Sequence, residues 1–153
     1  MKKATRILLN HRPNAKHVLV EKVYVEDALQ NHCYQNAIKL ADTNEKDMII
    51  VSGWLVGDFF GERGTAIIPH YFVVNIKTRK YYDATPLNAN DKQSYEYVRD
   101  IEIMTYSHKK AVLPLTLKLT ADGLFKARSD DGKYFYDLDK IEIAELYALR
   151  DNN

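Results

Sequence analysis

Apolar positions along this chain follow two periods. Between Glu26 and Asp42, Leu29, Cys33, Ala37 and Leu40 recur at helical spacing, which predicts an amphipathic helix. The polar run Gln30, Asn31, His32 points to a helix that begins at the cysteine, with Asn31 as its N-cap. Met48 to Val56 is a near-continuous apolar run bounded by charged and glycine-containing segments, the pattern of a central strand covered on both faces. Tyr71 to Ile76 is rich in β-branched and aromatic residues, Lys77 to Arg79 is a polar break, and Lys80 to Thr85 resumes the strand pattern, so His70 to Pro86 reads as a hairpin.

Further along, Ser94 to Tyr106 alternates well enough for another strand, while Pro114 interrupts the apolar stretch Ala111 to Leu119 and makes it an edge or a broken segment. Leu124 to Leu138 carries Asp130, Asp131 and Gly132 at its middle, a hairpin signal, and Asp139 to Arg150 closes the chain as a short helix. Met1 to His17 holds five basic residues and no acidic one, and reads as a solvated arm or edge segment. His17 to Val25 is either a first strand or the lead-in to the helix. The fold class expected is α+β, one domain over residues 1–153: a helix carrying Cys33 packed on an antiparallel sheet that includes Met48 to Val56, Pro69 to Ile76 and Lys80 to Thr85.

Composition narrows the function without naming it. A chain of 153 residues with 46% apolar content can bury a core without staples. A net charge of +1 gives no global field of the kind that marks nucleic-acid binding, so no nucleic-acid partner is expected. One cysteine allows no intramolecular disulfide and no paired-cysteine zinc site, which fits a reducing compartment. The basic start is followed by only three apolar residues, Ile7 to Leu9, too few for a signal peptide, and no stretch approaches the ~20 residues of a membrane span. The expectation is a cytoplasmic protein with no membrane partner; its lysine, asparagine and tyrosine content is compatible with a phage origin.

Candidate chemistry concentrates in the hairpin. If Asn75 lies opposite Lys80, Phe72 falls opposite Asp83, and His70 becomes its diagonal neighbour on the same face, about 7 to 8 Å away between backbones. Side chains can close that gap. A histidine held by an aspartate lacks only a nucleophile, and Cys33, at the start of a helix whose dipole favours a thiolate, can supply it. The alternative for Cys33 is a small hydrophobe on the buried stripe. Trp54 suits the core and is also a candidate substrate contact, and the glycine-rich connection Gly57 to Thr65 offers Phe59 and Phe60 either as plain loop or as a substrate wall.

A cysteine opening a helix, then a strand, then His70-x-aromatic-Val73, a short turn and aromatic-x-Asp83-x-Thr85 resembles the core of the papain-like and transglutaminase-like cysteine enzymes, over roughly Asn31 to Pro86. The resemblance implies Cys33 as nucleophile, His70 as base and Asp83 as orienter, in a hydrolase or acyl transferase acting on a peptide, isopeptide or small amide bond. It implies no cofactor. Where papain-type enzymes place an oxyanion-donating glutamine, this chain has Asp27, with Gln30 nearer the cysteine; Gln30 and Asn31 are the substrate-binding candidates on that side. A non-catalytic protein-binding module on the same fold is the second reading, which the many tyrosines would suit. A metal held by His32, Cys33, His70 and Asp83 fits the ligand types but not their spacing.

Overall fold

The computed structural model describes residues 1–44, 47–58, 63–86, 94–107 and 112–151. Among these, four helices and a nine-stranded sheet are present, mostly antiparallel, giving an α+β protein. In chain order they are α1 (Lys3–His11), β1 (Lys16–Val18), β2 (Val20–Lys22), α2 (Cys33–Asn44), β3 (Met48–Val56), β4 (Thr65–Asn75), β5 (Tyr81–Asp83), β6 (Glu96–Arg99), α3 (Glu102–Ser107), β7 (Leu117–Leu119), β8 (Phe125–Arg128), β9 (Phe135–Leu138) and α4 (Ile143–Asp151).

β3 has the bounds its apolar run predicts and lies centrally, antiparallel to β4 along its whole length and to β6 on its other edge. The sheet curls because β1 and β2 act as one strand interrupted at Leu19. β1 pairs with β6 and β2 pairs with β5, closing β6, β3, β4 and β5 into a small barrel. The β2–β5 pairing is parallel, a departure from the wholly antiparallel sheet expected. Alternate residues fill the interior: Val18, Val51, Leu55, Phe72, Val74, Tyr81 and Tyr97 form one buried cluster drawn from five of the strands. Gly53 permits the closure, since a Cβ there would meet the Val98 carbonyl oxygen of β6 at 2.0 Å.

The outer face is covered by helices. Trp54, Val56 and Ile67 pack with Ala4 and Leu8 of α1 and with Ile143 and Leu146 of α4, while Ala37 and Leu40 of α2 pack on Tyr71 and Val73. The far edge of β4 is divided: β5 pairs with Val73 and Val74, β7 with Thr65 to Ile67. Between those two pairings the edge beside His70 has no strand among the described residues, and that gap is where the site opens.

Several expectations are corrected. The basic N-terminus is a helix rather than an arm, because Ala4, Thr5 and Leu8 make a buried stripe and Arg12 is anchored on Asp100 at 2.8 Å. α2 begins at Cys33, as the polar run before it predicts, and the helical spacing that included Leu29 does not extend the helix upstream. Leu29 is exposed, and Asp27 and Asn31 take left-handed backbone angles that no helix continues through. Asn31 therefore does not cap α2; the carbonyl of His32 accepts the first helical bond, from Asn36 N–H at 2.9 Å. Ser94 to Tyr106 is β6 followed by α3, since the buried Asp100 turns the chain: its backbone is bonded to Ser52 and its side chain accepts from the Glu102 N–H at 3.3 Å. The Leu124 to Leu138 hairpin forms as β8 and β9, and the closing helix as α4. No helix among the described residues is long and apolar enough to cross a membrane.

Candidate functional site

The β4–β5 hairpin has the register expected from its turn. Asn75 N–H donates to the Lys80 carbonyl at 2.9 Å, and Val73 and Val74 pair with Tyr82 and Tyr81, which sets Phe72 opposite Asp83 and His70 diagonal to it. His70 and Asp83 both point into the barrel, and both are buried. Nε2 of His70 lies 2.8 Å from Asp83 Oδ2. The ring stacks near Phe72 and meets Tyr97 edge-on, so its plane is fixed by packing as well as by the carboxylate.

Cys33 reaches this pair from outside the barrel. It is the first residue of α2, half-buried, with its side chain close enough to His70 to act on the imidazole. Two neighbouring contacts fix that approach. Tyr34, next to Cys33, makes an edge contact with Tyr71, next to His70, at 5.0 Å between ring centroids. Asn36 Nδ2 donates to Leu29 O at 2.7 Å and to Thr85 Oγ1 at 3.3 Å, while its Oδ1 accepts from Leu29 N–H at 3.0 Å. Asn36, buried, thus ties the loop before the cysteine to the segment just after Asp83.

Asp83 has more partners than the histidine. Its Oδ2 also accepts from Lys22 Nζ at 3.2 Å and from the Tyr97 hydroxyl, and its Oδ1 accepts from Thr85 N–H at 2.9 Å. Burial alone would favour the neutral acid, but the hydrogen bond and charge of His70, with Lys22 and Tyr97 behind them, hold the carboxyl well below the usual range. For His70 burial likewise opposes the charge, and the bond to Asp83 followed by the contact with Cys33 outweighs it, raising the imidazole to about 9. Burial and then the Asp83 charge push the Tyr97 phenol well above its ordinary value.

A cleft of about 610 Å³ opens over Cys33 and His70. Gln30 and Asn31 line it, as expected; apolar walls come from Leu55, Ile68 and Pro69, and Asp130 and Arg150 stand at its rim, paired at 3.2 Å. Trp54 is the core residue the sequence suits it to be and not a substrate contact: it is completely buried on the opposite face of β3, its indole N–H donating to Asp100 Oδ2 at 3.0 Å. Phe59 and Phe60 lie outside the described residues. The metal reading gains nothing, as no cluster of three ligand side chains occurs among the described residues.

Sequence reasoning missed Lys22, Tyr97 and Asn36. Lys22 had a signal: it continues the inward alternation of Val18 and Val20, where a lysine needs a partner. Comparison of the chain with protein-family models, curated proteins and solved structures gives no match.

Proposed function

We propose that this protein is a cysteine-nucleophile enzyme acting on a peptide, isopeptide or other amide bond, on a papain-like or transglutaminase-like core. The observation that carries the reading is the buried His70–Asp83 hydrogen bond on the floor of a cleft, with Cys33 in contact with the same imidazole. Cys33 passes its proton to His70 and attacks the carbonyl carbon; a carbon–sulfur bond forms and, as the tetrahedral intermediate collapses, the carbon–nitrogen bond breaks with His70 returning the proton to the leaving amine. Water then attacks the thioester with His70 as base, releasing the acid and restoring the thiol. An amine in place of water makes the same cycle an acyl transfer, and hydrolysis is the outcome the papain-like resemblance favours.

Asp83 keeps the imidazole in place and stabilises its charged form. The first-turn N–H groups of α2 have no helical partner and carry the positive end of its dipole, which suits them to the developing oxyanion. A free thiol nucleophile fits a cytoplasmic, reducing setting.

The test is acyl-enzyme trapping with an activated ester such as p-nitrophenyl acetate, followed by intact-mass and peptide mapping. The expected result is one hydroxylamine-labile acyl group on Cys33, formed far more slowly in His70→Ala. Acylation of Cys33 at the same rate with and without His70 would count against an enzyme and bring the binding module forward.

A further inference from the structure

We propose that Lys22 is a positioning residue of this site, which balances the charge of Asp83 from the barrel-closing strand so that the carboxylate orients His70 yet leaves the imidazole able to release its proton. The inference rests on the reading of Cys33, His70 and Asp83 as a triad. Lys22 stands directly opposite Asp83 in the parallel β2–β5 register, and its position is set by three acceptors, Asp83 Oδ2 at 3.2 Å, the Thr85 carbonyl at 2.8 Å and the Tyr97 hydroxyl oxygen at 3.4 Å. The oxygen it contacts is the one that His70 Nε2 reaches at 2.8 Å. The imidazole and the Lys22 ammonium therefore share one carboxylate oxygen.

Lys22 has no place on the substrate side. It borders a separate cavity of about 300 Å³ with Leu19, Ser94 and Glu96, not the cleft over Cys33, so any effect it has on the chemistry passes through Asp83. The charged or titratable groups facing the His70–Asp83 pair are Cys33 from α2, Tyr97 from β6 and Lys22 from β2. His17 and Glu96, nearby in the second cavity, face each other at 3.5 Å. With the imidazole charged, Lys22 offsets the one carboxylate in the set. Without it, no positive charge but that of the imidazolium faces Asp83, and a base that holds its proton too firmly is slow to return it to a leaving amine.

The experiment is an NMR titration of the His70 imidazole in the full chain, for wild type, Lys22→Met and Lys22→Arg. The proposal predicts that Lys22→Met moves the His70 midpoint upward by about one unit, and that Lys22→Arg, which keeps the charge, restores it. A role limited to bracing Asp83 would instead loosen the pair and move the midpoint down. An unmoved or lowered midpoint in Lys22→Met therefore overturns the proposal. If Lys22→Met does not fold, Lys22→Gln, which retains a donor for the Thr85 carbonyl without the charge, is read by the same criterion. Failure of the triad is distinguishable, because it is read from the acylation of wild type and His70→Ala, where Lys22 is unchanged.

Discussion

Asp83 accepts from His70, Lys22 and Tyr97 on one oxygen and from the Thr85 N–H on the other, a degree of satisfaction that lets a carboxylate stay ionised inside a barrel. Cys33, by contrast, is half-buried at the cleft. Truncating it removes one sulfur from a site open to solvent, so Cys33→Ala should cost no more than about 1 kcal/mol while removing acylation altogether. Thermal melts beside the acylation assay check both; a large loss of stability would instead make the cysteine a packing residue. His70 and Asp83 were legible in the sequence because a two-residue alternation and a four-residue turn fix who faces whom. Tyr97 was not, since its partner lies in a strand met only after the chain has folded back. Of the two readings of Trp54 the core one holds, and the substrate contact fails because Trp54 occupies the face of β3 turned away from His70.

At the scale of elements, α2 and the loop before it carry Cys33, the proposed nucleophile, and Asn36 is what joins them. Its side-chain amide is bonded to both backbone groups of Leu29 and to Thr85, so it fixes the left-handed turn at Asn31 relative to the end of β5. Asn36→Ala should lower stability by about 1 to 3 kcal/mol, the cost of losing the hydrogen bonds of a buried side-chain amide to the part-buried Leu29 backbone and to Thr85. It should also slow Cys33 alkylation, although the side-chain partners of Asn36 are Leu29 and Thr85 and not Cys33 or His70. Denaturant unfolding and iodoacetamide kinetics on the same preparation would check this. The start of α2 was readable from the polar run before Cys33, but its cap was not, because the left-handed angle at Asn31 depends on the Asn36 amide holding the loop. α1 was missed because its basic residues dominate the composition, while its buried face consists of just Ala4, Thr5 and Leu8.

For the molecule as a whole, the barrel couples the site to folding. Closure by β1 and β2 brings Lys22 to Asp83, and the curl at Gly53 brings β6, with Tyr97, against the same carboxylate. None of this was visible in a linear pattern, since a strand that pairs with β6 in one half and β5 in the other looks like ordinary alternation. The consequence is a pH dependence of stability with a defined sign. His70, raised from 6.5 to about 9, contributes stability that is fully present below pH 6.5 and is lost as pH rises through about 9. Asp83, lowered from 3.8, contributes stability that is present above pH 3.8 and is lost as the pH falls toward its folded value. The pair's contribution therefore peaks between these ordinary values, and His70→Gln should flatten the fall of the melting temperature between neutral pH and about pH 9. Melts of both proteins across that range would check it.

In the proposed mechanism Cys33 is activated by His70, and His70 by Asp83. The most direct measurement is the rate of iodoacetamide alkylation of wild type, His70→Ala and Asp83→Ala at pH ~6, where an unassisted thiol of pKa ~8.5 is almost wholly protonated and reacts slowly. Fast alkylation of the wild type is expected, with a drop of about tenfold or more in His70→Ala and a smaller drop in Asp83→Ala, because the aspartate acts only through the imidazole. Equal rates in all three proteins, at the value of an unassisted thiol, would contradict that mechanism.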